Sequence, residues 1–299
     1  MWYRISELLP WRSTFPTGRL RSVFPKRLIR FFDRTKRRAP SALGVGSATA
    51  FLVVLLISSC SSHNAPVQNS GTLTVAAAAD LQSAFGELGP LFQQKTGARV
   101  TFIFGSSGNL EKQIENGAPV DLFASASEEY LQQLASKGDV LAGTEQPYGI
   151  GRIVLVSSKA SGLSLTKLGD LTKPKVKHVA LANPEHAPYG TIARQALQTA
   201  GLWDQIKGKV VYGEDVRQAL QFVQTGNADA GIVALSIANV PEVVSSPIEA
   251  TLYQPLQQPI AVVKGTREEA LAKQFIAFVN GPQGRPIMKR YGFSRPGEN

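Results

Sequence analysis

One cysteine and three histidines in 299 residues leave little room for two common kinds of chemistry. With Cys60 as the single cysteine, an intramolecular disulfide is excluded. His63, His178 and His186 are well separated from one another and from Cys60, so no metal-ligand spacing arises. Excess charge is also missing from most of the chain. Of the 32 Lys/Arg residues, eleven fall within 1–59 together with two of the 22 acids, leaving 21 basic and 20 acidic residues from Cys60 onward. The formal charge of +10 therefore belongs to the N-terminus, and a nucleic-acid partner is not expected. No G-x-x-x-x-G-K-[ST] stretch occurs, so nucleotide binding has no motif. The hydrolase elbow G-x-S-x-G fails at Gly105 and Ser107, because Asn109 stands where glycine is needed, which leaves a serine hydrolase using Ser107 as a remote alternative.

What is present begins with an export signal. The basic stretch ends at Arg37-Arg38, and an uncharged apolar run over 42–57 closes on Ser58-Ser59-Cys60. A charged region, an apolar region and small residues make a secretory signal, with a single-pass anchor as the alternative. Ile57-Ser58-Ser59-Cys60 resembles a bacterial lipobox, which implies that Cys60 becomes the lipidated first residue. Residues 1–59 are then a basic N-terminal extension and lipoprotein signal, and the Ser/Asn/Pro-rich residues 60–70 a flexible tether.

From 72 onward strand and helix patterns alternate at short spacing. Strands are expected over 72–79, 99–104 and 118–125, each followed by a helix, the last over 128–137. A long strand over 151–157 leads into a second series: strand 178–182, helix 191–200, strand 209–212, helix 216–225 and strand 230–234. Residues 252–263 read as extended and 268–280 as helical, with a short last helix before Tyr291. This is the signature of an α/β fold with parallel sheets flanked by helices. The two long extended stretches are the segments able to cross between lobes. The expected division is a discontinuous first lobe, 71–152 plus 253–293, and a continuous second lobe, 153–252.

The turns between strands and helices carry the chemistry. Phe104-Gly105-Ser106-Ser107-Gly108-Asn109 lets the backbone turn tightly and puts the first N–H groups of a helix, which have no intrahelical acceptor, beside two hydroxyls. Three more turns are built alike: Ala79-Asp80, Pro188-Tyr189-Gly190 and Asp215-Val216. In open α/β sheets such turns gather beyond the carboxyl ends of the strands, making a cleft lined with anion donors. Glu214-Asp215 is expected to cap a helix, and His186 to brace its loop.

These stretches, together with Gly117-Ala118-Pro119-Val120-Asp121-Leu122-Phe123, Glu214-Asp215-Val216-Arg217 and Lys289-Arg290-Tyr291-Gly292-Phe293, resemble the molybdate-binding proteins of bacterial ABC transporters over 71–293. The resemblance implies a two-lobed periplasmic binding fold of type II, each lobe a mostly parallel sheet flanked by helices. It implies a protein that is not an enzyme and has no cofactor. It would capture molybdate, and tungstate too, and deliver the anion to an ABC permease. Another tetrahedral oxyanion, sulfate or phosphate, is the alternative ligand. The implied location is the periplasmic side of the cell membrane, as a monomer held by lipid at Cys60. Ligand contacts are implied at Asp80, Ser107, Tyr189, Val216 and Ala234, and more weakly at Ala79 and Ser106, with no side chain ligating the metal directly. Asp80 and Ala234 depart from the family pattern, which commonly has a serine and a tyrosine there. An aspartate before a helix prefers to cap it, so the Asp80 carboxylate is expected to accept from the N–H of Gln82 or Ser83 and to face away from the ligand.

Overall fold

The computed structural model describes residues 71–295; the extension and signal over 1–59, Cys60 and the 60–70 tether lie outside the described residues. The elements run, in chain order, β1 Thr72–Ala78, α1 Gln82–Thr96, β2 Arg99–Gly105, α2 Ser107–Glu115, β3 Leu122–Ala124, α3 Glu128–Lys137, β4 Gln146–Gly151 and β5 Ile153–Ser158. They continue with β6 Val179–Ala182, α4 Pro188–Thr199, α5 Trp203–Ile206, β7 Val210–Gly213, α6 Val216–Gln224, β8 Ala230–Ala234, β9 Val243–Pro247, β10 Leu256–Val262, α7 Glu269–Asn280 and α8 Gly284–Arg290.

Two five-stranded sheets form, in the orders β2-β1-β3-β10-β4 and β7-β6-β8-β5-β9. In the first, β10 alone runs against the other strands, since β1 pairs in parallel with β2 and β3 while β10 is antiparallel to both β3 and β4. In the second, β5 plays the same part between β8 and β9. The sheets are therefore mixed in pairing although mostly parallel in strand direction.

The inner strands are apolar on both faces, as a sheet covered by helices requires. Leu73, Val75 and Ala77 of β1 are buried, and so is the whole of β6, Val179–Ala182. The first core is aromatic. Phe275 of α7 packs edge-on against Phe85 and Phe92 of α1, with ring centroids 5.5 and 5.1 Å apart. Together with Phe278, Ile287 and Met288 it ties the C-terminal helices to the sheet that starts with β1. The second core is aliphatic, built on Val154, Val156, Leu181, Leu197 and Leu220.

Three boundaries differ from expectation. The stretch expected as one strand over 151–157 is two strands, β4 and β5, that break at Arg152 and belong to different sheets. β9 was not anticipated; its Val243 is buried, while Val244 and Ser245 are exposed on a sheet edge and blur any period-2 pattern. Helix α4 begins at Pro188 instead of 191, because proline at the first helical position has no N–H to lose and a fixed φ suited to the turn. That shift puts Tyr189 and Gly190 inside the first helical turn.

Candidate functional site

Parallel strands bring their carboxyl ends to one edge of each sheet. In the first sheet Ala78 pairs with Gly105 and Ala77 with Ala124; in the second Ala182 pairs with Gly213. The residues that follow these ends face each other across the junction of the two lobes. They line a small cavity of about 10 Å3, with Ala78, Ala79, Asp80, Gly105, Ser106, Ser107 and Ala126 on one side and Ala187, Pro188, Tyr189, Asp215 and Val216 on the other. Small residues dominate this lining, which lets backbone rather than side chains form the wall.

Three helices, α2, α4 and α6, start at this cavity. Ser107, Tyr189 and Val216 lie in their first turns, where N–H groups have no intrahelical acceptor. Neighbouring donors are already engaged. The Gly108 N–H donates to the His186 carbonyl at 2.9 Å, the Gly190 N–H to the Ala187 carbonyl at 2.9 Å, and the Arg217 and Gln218 N–H groups to Asp215 Oδ1 at 2.8 and 2.9 Å. What remains at the cavity is the N–H of Ser107, Tyr189 and Val216. The Ser107 hydroxyl accepts from the Ala126 N–H at 2.9 Å, and its own proton is left to donate. Three positive helix ends on one enclosed space favour an anion there without any basic side chain.

The lobes are joined around this cavity by polar contacts. His186 Nδ1 lies 2.9 Å from Ser106 Oγ, and Asn109 donates to Glu214. His186 therefore does brace its loop, and it does so against the other lobe. Asp215 caps α6 as its sequence position suggested. Ser106 and Ser107 do not cap α2, since their hydroxyls serve His186 and Ala126 instead. The imidazole of His186 is bonded to Ser106, while the Ser107 hydroxyl accepts from Ala126 N–H. A wider open groove nearby is lined in part by Glu128 and Glu129, whose carboxylates oppose an anion. Among the described residues, no group of three or more His, Cys, Asp and Glu side chains could hold a metal ion.

Ala234 is fully buried at the end of β8 and precedes a short 3-10 turn over Leu235–Ile237. The role expected of the Asp80 carboxylate needs correction. Asp80 lines the cavity but caps no helix. It sits within a 3-10 turn, Ala79–Leu81, so that α1 starts two residues later without a side-chain cap. Its Oδ2 instead accepts from Tyr189 Oη and from Gln258 Nε2, both at 2.9 Å, and Gln258 Nε2 also donates to Tyr189 Oη at 3.1 Å. Burial is the largest influence on this carboxyl and raises its pKa from 3.8 to about 6, against the lowering effect of the Gln258 and Tyr189 hydrogen bonds. Gln258 was missed in the sequence. A register shift between Gln258 and Pro259 in β10 turns this side chain inward, and the only linear signal for that bulge is the proline itself.

The family model described as "Bacterial extracellular solute-binding protein" matches residues 73–294. The molybdate-binding protein ModA of Rhodobacter capsulatus is 35% identical over 225 residues, covering 75% of this chain and 88% of that protein. ModA of Escherichia coli is 35% identical over 234 residues, covering 76% and 90%. The solved periplasmic molybdate-binding protein of Azotobacter vinelandii superposes with a TM-score of 0.70 at 33% identity, over 75% of this chain and 99% of that one. The chain belongs to the bacterial extracellular solute-binding proteins, and within them to the relatives of the periplasmic molybdate-binding proteins.

Proposed function

We propose that this protein captures molybdate, and tungstate equally, between its two lobes outside the cytoplasmic membrane and hands it to the permease of an ABC importer. The observation that carries this reading is the convergence of α2, α4 and α6 on one enclosed cavity with the N–H groups of Ser107, Tyr189 and Val216 unclaimed. Molybdate at neutral pH is a dianion without a proton, so its oxygens only accept hydrogen bonds, and such a site offers donors. Ser107, Tyr189 and Val216 are the proposed principal contacts, with Ala79 and Ser106 beside them on the wall. Of the two carboxyls on that wall, Asp215 is engaged by the N–H groups of α6, and Asp80 favours phosphate as the second reading, because hydrogen phosphate carries a proton that a carboxylate can accept. Isothermal titration of the purified body with molybdate, tungstate, sulfate and phosphate separates the two. Heat with phosphate and none with molybdate would reverse the choice.

Closure is part of the proposed mechanism, since binding between lobes favours the form in which they meet. Gly108 is one close approach between the lobes. A Cβ there would stand 2.9 Å from the His186 carbonyl oxygen across the lobe boundary, and 3.0 Å from the Tyr130 ring within its own lobe. Gly108→Ala should weaken molybdate binding by roughly 5- to 100-fold, the equivalent of about 1–3 kcal/mol of overpacking. The thermal midpoint should fall less than the affinity, because the closer contact, with His186, is the one between lobes, while that with Tyr130 lies within the first lobe. Wild-type affinity in this variant would show that the lobes do not need to meet at Gly108.

We further propose that the mature protein begins at Cys60 and is held at the membrane by lipid there, acting as a monomer. Cys60→Ala should abolish acylation of the N-terminal peptide, read by mass spectrometry. An acylated peptide persisting in that variant would overturn the anchor.

A further inference from the structure

Asp80 is a group that an anion site has no evident use for. It is fully buried on the cavity wall, where the lobes meet. One carboxyl oxygen, Oδ2, holds the hydrogen bonds from Tyr189 of the second lobe and Gln258 of the first. The main-chain oxygen of the same residue accepts from Ser236 Oγ of the second lobe at 2.8 Å. The other carboxyl oxygen, Oδ1, is buried and has no hydrogen-bond partner. A charged carboxylate would leave that oxygen unsolvated beside the space assigned to a dianion, which is costly on both counts. A proton on Oδ1 removes the charge, keeps both hydrogen bonds at Oδ2 and adds a donor to the cavity wall.

The surroundings offer no alternative compensation. Tyr189 from α4 and Tyr148 from β4 are held neutral, their hydroxyl pKa values pushed well above 10 mainly by burial. The 3-10 turn over Leu235–Ile237 contributes the neutral Ser236. From α6 the cavity receives Asp215, whose carboxylate is engaged by the N–H groups of Arg217 and Gln218. The β2–α2 junction presents Ser106 and Ser107, with His186 bonded to the former. The influences on Asp80 itself are burial and hydrogen bonds, with no cationic side chain among them.

We propose that the protein captures its oxyanion together with one proton taken from solvent, which resides on Asp80 Oδ1, so that this residue serves the site as a neutral carboxylic acid. The inference rests on the oxyanion reading above. Its sign follows from linkage. With the lobes together and no anion bound, burial raises the carboxyl pKa to about 6. A bound dianion raises that value further, so between the two values binding takes up a proton, and affinity falls as pH rises, by up to about tenfold per pH unit. Below about pH 5 the proton is already in place and uptake disappears.

Titration calorimetry with molybdate in two buffers of different ionisation enthalpy measures the proton directly. At about pH 7.5 the wild-type protein should take up close to one proton per anion, and at about pH 5 almost none. Asp80→Asn should bind with no proton uptake and with pH-independent affinity. Carboxyl carbon NMR of the wild-type complex gives the same answer without a variant, as Asp80 should show a protonated shift at about pH 7.5. Molybdate bound without proton uptake overturns this inference and leaves the molybdate reading intact. Uptake that survives in Asp80→Asn but vanishes in His186→Asn also overturns it, moving the proton to the imidazole. Sulfate and phosphate are titrated in parallel, so failure of molybdate alone removes the ligand assignment while the proton count is read with the anion that binds; heat with none of them overturns both.

Discussion

Gly190→Ala should lower stability by about 3 kcal/mol and remove anion binding. Gly190 is the third residue of α4, and a Cβ there would lie 2.2 Å from the Ala182 carbonyl oxygen and 2.8 Å from the Pro184 nitrogen. Both are backbone atoms, so no side-chain rotation relieves the clash. Either α4 moves off the end of β6 or the turn between them opens. Each outcome displaces the Tyr189 N–H from the cavity. Chemical denaturation would read the stability and titration calorimetry the binding. A Gly190→Ala protein with unchanged midpoint and affinity would mean that α4 does not need this close approach to present its N-terminus. The effect should exceed that of Gly108→Ala, whose nearest contacts, 2.9 Å to the His186 carbonyl oxygen and 3.0 Å to the Tyr130 ring, are looser.

The second large effect is a pH dependence of stability. The Asp80 carboxyl has a pKa of 3.8 when unfolded and about 6 in the folded protein, through burial. Below 3.8 both states hold the proton, and the residue costs nothing extra. Between 3.8 and 6 the unfolded chain releases it first, so stability falls with rising pH; above 6 the loss is complete and constant. Two pKa units correspond to about 3 kcal/mol. Asp80→Asn cannot ionise, so its stability minus that of wild type should grow by about that amount from about pH 3.5 to about pH 7 and then level off. Any fixed penalty for the amide cancels from this slope. Denaturant midpoints over that range provide the check, and a flat difference would mean that the carboxyl is solvated in the folded protein. Tyr189→Phe should move the upper limit of the window to higher pH, because the lost hydrogen bond is one that lowers the Asp80 pKa.

The parts of the site that were legible in the sequence are the ones made by local backbone. The helix starts at Ser107 and Val216 were legible because a glycine- or aspartate-bearing turn between a strand and a helix places N–H groups at its end whatever lies opposite. Asp215 was legible for the same reason, as its acceptors are two and three residues away. Asp80 was misread by the same logic. An N-cap role is a good local choice, but a 3-10 turn moved the start of α1 and the carboxyl found partners 109 and 178 residues distant. Ala234 was placed by resemblance alone, at a position where the family pattern commonly has a tyrosine, and no local preference of an alanine at the end of β8 points to a ligand.

By itself, the sequence determined the alternation of strands and helices, the apolar inner strands and the small-residue turns, since each follows from periodicity or composition within a dozen neighbouring residues. Tertiary structure alone decided which turns meet. It paired β10 with β3 and β4 across more than a hundred residues, and it turned Gln258 inward through a bulge. It also set Tyr189 of one lobe against Asp80 of the other. The reason is that a hydrogen bond between lobes depends on the relative position of two separately packed cores. No local preference at either residue encodes that position.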